Sequence, residues 1–203
     1  MMLKFRKLND DDNIKKISHW IYSTDVVFFN RLFTNKTNSL EAIKNLITSD
    51  YVNPYHRKFV TVAYDDKTGN IRAVALSFKG NEITVRDTFN AFKGTGFTNS
   101  RNLMLYEYAS VIVTSYLKNN EYYLASLYVD KNYRNRTIGS KLVENVKQKA
   151  RQSNSSRLLV DIEDDNSSMA DFFKRFDFEK SKLSYHKLIG VQYGFSTMVY
   201  KIK

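Results

Sequence analysis

The chain has no cysteine, which removes disulfide scaffolds, cysteine-ligated zinc, iron–sulfur clusters and thiol catalysis together. Proline occurs once, at Pro54, and the seven glycines are scattered over 203 residues. Nothing therefore reads as a linker, no internal repeat is visible, and residues 1–203 are expected to form a single domain. Histidine is equally scarce: His19, His56 and His186 lie far apart and show no metal-ligand spacing, so no metal is expected. No apolar run approaches the roughly 18 residues of a membrane span, and the polar first dozen residues are unlike a signal peptide. These absences lead to the expectation of a soluble, cytoplasmic protein without a membrane partner.

What the chain holds in quantity is aromatic and basic. Fourteen Tyr and fourteen Phe, within a 42% hydrophobic composition, suffice for a sizeable core. The formal charge of +11 is unevenly spread, because eight basic residues and one acid, Glu144, lie between Lys131 and Arg157. A local excess suits a compact polyanion such as a nucleotide cofactor better than a long nucleic-acid track. Ordinary surface solvation is the plain alternative.

Residues 3–8 alternate weakly and predict a first strand. Asp10–Asp12 offer capping chemistry to a helix carrying Ile14, Ile17 and Ile21 at helical spacing. A second helix is expected with Asn38 as cap, Glu41 three residues on, and Leu40, Ile43, Leu46 and Ile47 as its stripe. Residues 58–64 and 71–78 read as a hairpin around the turn 65–70, and residues 100–117 as a helix. Then come a strand at 122–129, a helix at 140–152 with Ile138, Leu142, Val146 and Ala150 in one stripe, and a strand at 157–163. That β–loop–α–β unit implies a locally parallel pair with a right-handed crossover. A helix at 168–176 and a closing strand at 195–202 complete a mixed α+β sheet rather than a doubly wound one.

The loop from Leu127 to Ser140 enters a helix, where unpaired backbone N–H groups and the positive end of the helix dipole favour an anion. Gly139 keeps a Cβ out of the way of a phosphate, and Arg134 and Arg136 add charge-assisted donors. A pyrophosphate suits such a nest, although a βα turn with a well-placed glycine would read the same way. Gly94-Thr95-Gly96 follows no convincing strand and supports no dinucleotide fold.

The loop resembles the acyl-CoA loop of the GNAT N-acetyltransferase superfamily, whose pattern is Arg or Gln, two residues, Gly, one residue, Gly or Ala. Here it reads Arg134-Asn135-Arg136-Thr137-Ile138-Gly139, after a lead-in of Leu127, Val129 and Tyr133. Thr137 stands where the first glycine is usual, and its β-branch resists positive φ. A second match follows at Asn166, Phe173 and Asp177-Phe178. Residues 82–118 look like a helical insertion in this pattern.

The resemblance implies a central, mostly antiparallel mixed sheet with one splayed parallel pair and helices on both faces. It implies acetyl-CoA as cosubstrate, its pantetheine arm along Leu127, Tyr128 and Val129, its diphosphate at Arg134, Asn135, Arg136, Thr137, Ile138, Gly139 and Ser140, and Asn166 and Phe173 on the other side. It implies acetyl transfer to a primary amine of a small molecule or peptide by direct attack on the thioester. Asp161 then stands where some members place a base. Tyr123 stands where others place Glu, with Glu121 two residues back on the same face. Phe173 lacks the hydroxyl by which family members often protonate the leaving thiolate; water or another tyrosine such as Tyr128 would have to serve. Tyr22, Asp25 and Phe29 fall where the acceptor pocket is often shaped. The run Asp161, Glu163, Asp164, Asp165 either attracts a cationic amine or, for Asp164 and Asp165, caps the next helix. A homodimer is compatible with the resemblance. A non-catalytic acyl-CoA sensor is the alternative, and a basic nucleic-acid-binding module ranks below it.

Overall fold

The computed structural model describes residues 3–96, 117–188 and 191–202. One sheet holds seven strands, β1 (Leu3–Lys7), β2 (Val60–Asp65), β3 (Ile71–Lys79), β4 (Glu121–Val129), β5 (Arg157–Glu163), β6 (Glu179–Leu188) and β7 (Val191–Lys201), in the order β1-β2-β3-β4-β5-β7-β6. Each neighbouring pair is antiparallel except β4 and β5, which run parallel. The β2–β3 turn closes through Gly69, whose N–H reaches the Asp65 carbonyl at 2.8 Å with φ at +68°, a region open to glycine. The expected mixed α+β architecture stands.

Among the described residues six helices cover the two faces: α1 (Ile14–Tyr22), α2 (Val26–Phe33), α3 (Lys36–Ile47), α4 (Val85–Lys93), α5 (Ile138–Gln152) and α6 (Ser167–Lys174). α1 to α4 pack on one face, where Ile17, Ile21, Phe29, Phe33 and Leu46 meet Val62, Val74, Leu76 and Phe78. α5 and α6 pack on the other, where Leu142, Val143, Val146, Ala150 and Phe173 meet Leu124, Leu158, Val160 and Ile162. The stripe expected on α5 is buried throughout.

Several boundaries differ from expectation for local reasons. α1 is capped by Asn13, whose Oδ1 accepts the Lys16 N–H at 2.9 Å. Asp12 is instead held by Arg6, at 2.6 and 2.7 Å, and by the Asn9 N–H. The cap of α3 is Asn35 rather than Asn38, because α2 intervenes and leaves a two-residue connection. Sequence periodicity does not show α2, whose Val-Val-Phe-Phe start is as apolar as a strand; the Asp25 carboxylate accepting the Phe28 N–H at 2.9 Å decides it. Edge strand β6 was also not expected, since the sequence Glu-Lys-Ser-Lys-Leu-Ser-Tyr-His-Lys-Leu carries the charge typical of a protected edge. The helix expected over residues 100–117 falls, but for Leu117, outside the described residues.

The chain returns to the sheet across Gly80, where an added Cβ would lie 2.3 Å from the Lys118 carbonyl oxygen. That same carbonyl accepts the Glu121 N–H at 3.0 Å, and the Glu121 carboxylate accepts the Lys118 N–H at 3.1 Å. Glu121 is 1% exposed and forms an ion pair with Arg157, its register partner across the parallel pair.

Glu121→Ala strands the Arg157 guanidinium and the Lys118 N–H, and a loss of about 2–3 kcal/mol is expected as a lower urea midpoint. Asp25 gives a prediction of opposite direction. Burial lifts its carboxyl to about 6, the Phe28 N–H works against that rise, and the negative charge of Glu163 adds to it. Ionisation of Asp25 therefore opposes folding above about pH 6, and the opposition fades as the pH falls through that value towards the ordinary carboxylate range. Asp25→Asn keeps the cap and removes the charge, so urea melts should find it more stable than the parent by about 1–2 kcal/mol at pH 8 and equal to it near pH 4.

Candidate functional site

A cleft opens because one ladder ends early. β4 and β5 pair from Glu121↔Arg157 to Leu124↔Val160 and no further, although β4 runs on to Val129 and β5 to Glu163. β4 stays bonded to β3 as far as Ala73↔Val129, and β5 to β7 as far as Glu163↔Phe195, so each strand follows its own half-sheet away from the other. The departure coincides with a bulge: Leu76 faces Ser126 and Ser77 faces Leu124, leaving Ala125 without a ladder partner. A bulge bends its strand and increases its twist. Between the parted strands lies a cavity of about 1300 Å³ that exposes the edge of β4 from Ala125 to Val129.

One end of the cavity is the β4–α5 loop. Asp130 starts a single 3₁₀ turn, Lys131–Tyr133, by accepting the Asn132 N–H at 3.0 Å. Asn135 and Thr137 then adopt φ of +60° and +61°, with a residue of negative φ between them. Alternating hands turn successive N–H groups to one side, the geometry of an anion nest. The Thr137 Oγ1 donates to the Arg136 carbonyl at 2.6 Å and caps nothing. Of the six helices among the described residues, α1, α2, α3, α4 and α6 have a side chain on an N-terminal N–H; α5 has none. Its first-turn donors therefore face the cleft with the helix dipole behind them. Thr137 takes the left-handed conformation that its β-branch resists, at a cost of about 1–2 kcal/mol.

The residues expected to bind an acyl-CoA mostly converge here. Leu127, Tyr128, Val129, Arg134, Asn135, Thr137, Ile138, Gly139, Ser140, Asn166 and Phe173 all line the cavity. Arg136 lies beside it, on a smaller recess shared with Leu3 and Lys141. The Arg134 Nε donates to the Val129 carbonyl at 3.2 Å and its guanidinium lies over the Tyr128 ring. Gly139 sits in the first turn of α5, where an added Cβ would make ordinary contact with Phe172 and Val129 at 3.5 and 3.6 Å. Asn166 caps α6, accepting the Met169 N–H at 3.2 Å. Arg175, which the sequence analysis did not single out, joins this wall above the Phe172 ring, three residues back and on the same helical side.

At the parting of the strands, the Tyr123 hydroxyl donates to the Asp161 Oδ2 at 3.0 Å, and both residues line the cavity. Glu121 lies apart from it, at the closed end of the ladder. The Phe173 ring is 1% exposed and packs edge-on against Phe172 and Phe178, each at 5.2 Å.

The other end of the cavity is lined by Ser23, Thr24 and Asp25 from the α1–α2 turn, with Phe28, Phe29 and Tyr55. Tyr22 is not among the lining residues: it is buried, and its hydroxyl donates to the Asn30 Oδ1 at 3.0 Å. The turn is fastened to β4 by a 3.2 Å hydrogen bond between the hydroxyls of Thr24 and Ser126, and by Trp20 stacked on Tyr128 at 5.5 Å. Thr24 and Ser126 are 102 residues apart, and no local pattern marks either. Glu163 was legible, two residues beyond Asp161 on the same strand face. Asp164 accepts the Ser196 hydroxyl at 2.6 Å, and the helix cap that was one reading of Asp164 and Asp165 belongs to Asn166.

Among the described residues no group of three or more metal-ligating side chains occurs, and no helix is long and apolar enough to cross a membrane. No curated protein matches the sequence. Solved structures share the fold at low identity. An acetyltransferase is 17% identical over 98% of this chain and 100% of its own, with a TM-score of 0.65. An N-acetyltransferase from Staphylococcus aureus Mu50 is 14% identical over 97% and 100%, with a TM-score of 0.67. A GNAT family acetyltransferase from Elizabethkingia anophelis, solved with acetyl-CoA bound, is 9% identical over 98% of both chains, with a TM-score of 0.57. Residues 40–178, more than half of the chain, match the description "Acetyltransferase (GNAT) family". With its parted parallel strands and uncapped α5, the chain belongs to the GNAT acetyltransferase family.

Proposed function

We propose that the protein transfers an acetyl group from acetyl-CoA to a primary amine. The observation that carries this reading is the early end of the β4–β5 ladder, which opens directly onto the uncapped first turn of α5. The diphosphate of the cosubstrate binds the N–H groups from Asn135 to Ser140, with Arg134 and Arg175 supplying countercharge. The amide-bearing arm lies against Leu127, Tyr128 and Val129 as an added strand, using backbone groups that have no partner in β5. Asn166, Met169 and Phe173 form the facing wall.

The acetyl carbonyl then lies at the parting of the strands, beside Tyr123 and Asp161. A primary amine with a pKa near 10 is mostly protonated at neutral pH and must lose a proton to attack. Asp161 takes that proton. The neutral nitrogen forms the C–N bond and sheds the excess proton it then carries to water, β4 N–H groups stabilise the oxyanion, and collapse breaks the C–S bond to release the thiolate. Phe173 supplies no proton to that sulfur; the Tyr123 hydroxyl, hydrogen-bonded to Asp161, is the donor we assign instead. This circuit favours an enzyme over a mere acyl-CoA sensor.

Calorimetry with CoA tests the binding half. Gly139→Glu places a carboxylate beside the nest, and Arg134→Ala removes a cation; each should weaken CoA at least tenfold, and unchanged affinity in both would sink the assignment. Thr137→Gly relieves the left-handed strain and should raise stability by about 1 kcal/mol while CoA still binds. Thiol release tests the chemical half. Asp161→Asn should lower kcat about 100-fold or more at unchanged CoA affinity, and Tyr123→Phe should lower kcat by a smaller factor.

A further inference from the structure

The cleft is divided by charge, and the division runs against the rest of the chain. Its charged lining residues are Arg134 and Arg175 on the loop and α6 side, and Asp25, Asp161 and Glu163 on the α1–α2 and β5 side. The protein carries 32 basic residues against 21 acidic ones, yet Asp25 and Glu163 enter no ion pair among the described residues. Asp25 spends one oxygen on the Phe28 N–H that it caps. The negative charge of Glu163 acts on it and raises rather than lowers the carboxyl's affinity for a proton. A half-buried carboxyl in that position is short of one cation.

The walls say which kind. Phe28 and Tyr55 line this end of the cavity, and aromatic faces with carboxylates suit an organic ammonium. A metal ion is a poor occupant, because the described residues bring no three ligating side chains together. Along β5, Asp161 and Glu163 fall on one strand face two residues apart, a separation of about 6.6 Å. That span suits two amino nitrogens joined by about four methylene groups.

We infer that the acceptor is a diamine or longer polyamine, with its reacting nitrogen at Asp161 and a second ammonium group held between Asp25 and Glu163. This deepens the acetyltransferase reading and rests on it. The same pair of carboxylates repels an amine that carries a carboxylate of its own, so amino acids are disfavoured acceptors.

Three probes of one length isolate the effect: 1,4-diaminobutane, butan-1-amine and 4-aminobutanoate end in a positive, a neutral and a negative group. With the full chain and saturating acetyl-CoA, KM in a thiol-release assay should rise at least tenfold at each step in that order. In Asp25→Asn and in Glu163→Gln the ratio between diaminobutane and butanamine should collapse towards one. Equal KM values for the three probes, or a ratio that survives in both variants, would overturn the proposal. Calorimetry of diaminobutane separates this claim from the parent reading. Heat that is present in the parent protein and lost in both variants, without turnover, supports the subsite and sinks acetyl transfer. Turnover of butanamine with no heat from diaminobutane does the reverse.

Discussion

Four rungs of parallel pairing, from Glu121↔Arg157 to Leu124↔Val160, join the two halves of this sheet, and the cleft depends on where they stop. At the closed end the first rung is reinforced by the buried Glu121 carboxylate on Arg157, and by the return of the chain over Gly80. At the open end the bulge at Ala125 turns β4 away while β7 keeps β5 on its own course. One ladder thus supplies both cohesion and aperture. Glu121, a candidate base by its position on the strand, serves the cohesion; Asp161, one residue past the last rung, stands in the aperture.

The cleft adds direction to that opening. Its loop and α6 side offers main-chain donors, a helix dipole, Arg134 and Arg175; its α1–α2 and β5 side offers Asp25, Asp161, Glu163 and aromatic rings. The two kinds of wall favour groups of opposite charge, and the Tyr123–Asp161 hydrogen bond lies in the cleft with both. The net positive charge of the chain favours anions in general, so any cation entering the cleft depends on the local carboxylates rather than on the overall balance.

Much of this was legible beforehand because it is local. The hairpin turn around Gly69, the buried stripe of α5, the strand at 157–163 and the loop from Arg134 to Ser140 each announce themselves within about fifteen consecutive residues. What was hidden turns on a single cap, on place in the sheet or on residues distant in sequence. α2 looks like a strand until Asp25 caps it; β6 is polar because it is an edge; the Thr24–Ser126 bond spans the chain. Tyr22 illustrates the limit well. It sits beside cleft residues in sequence, but α1 ends there and turns its ring inward to Asn30. Thr137 shows the converse. Its β-branch argues against a left-handed residue, and the turn into α5 imposes one anyway.

The column of rings beneath the loop has an optical consequence. Lys16, Trp20, Tyr128 and Arg134 are stacked in that order, and Trp20 is the only indole in the chain. Anything that draws the Arg134 guanidinium off Tyr128 alters the surroundings of a single chromophore. The molecule therefore carries an intrinsic fluorescent gauge of the loop that enters α5, with no competing emitter of the same kind to obscure it.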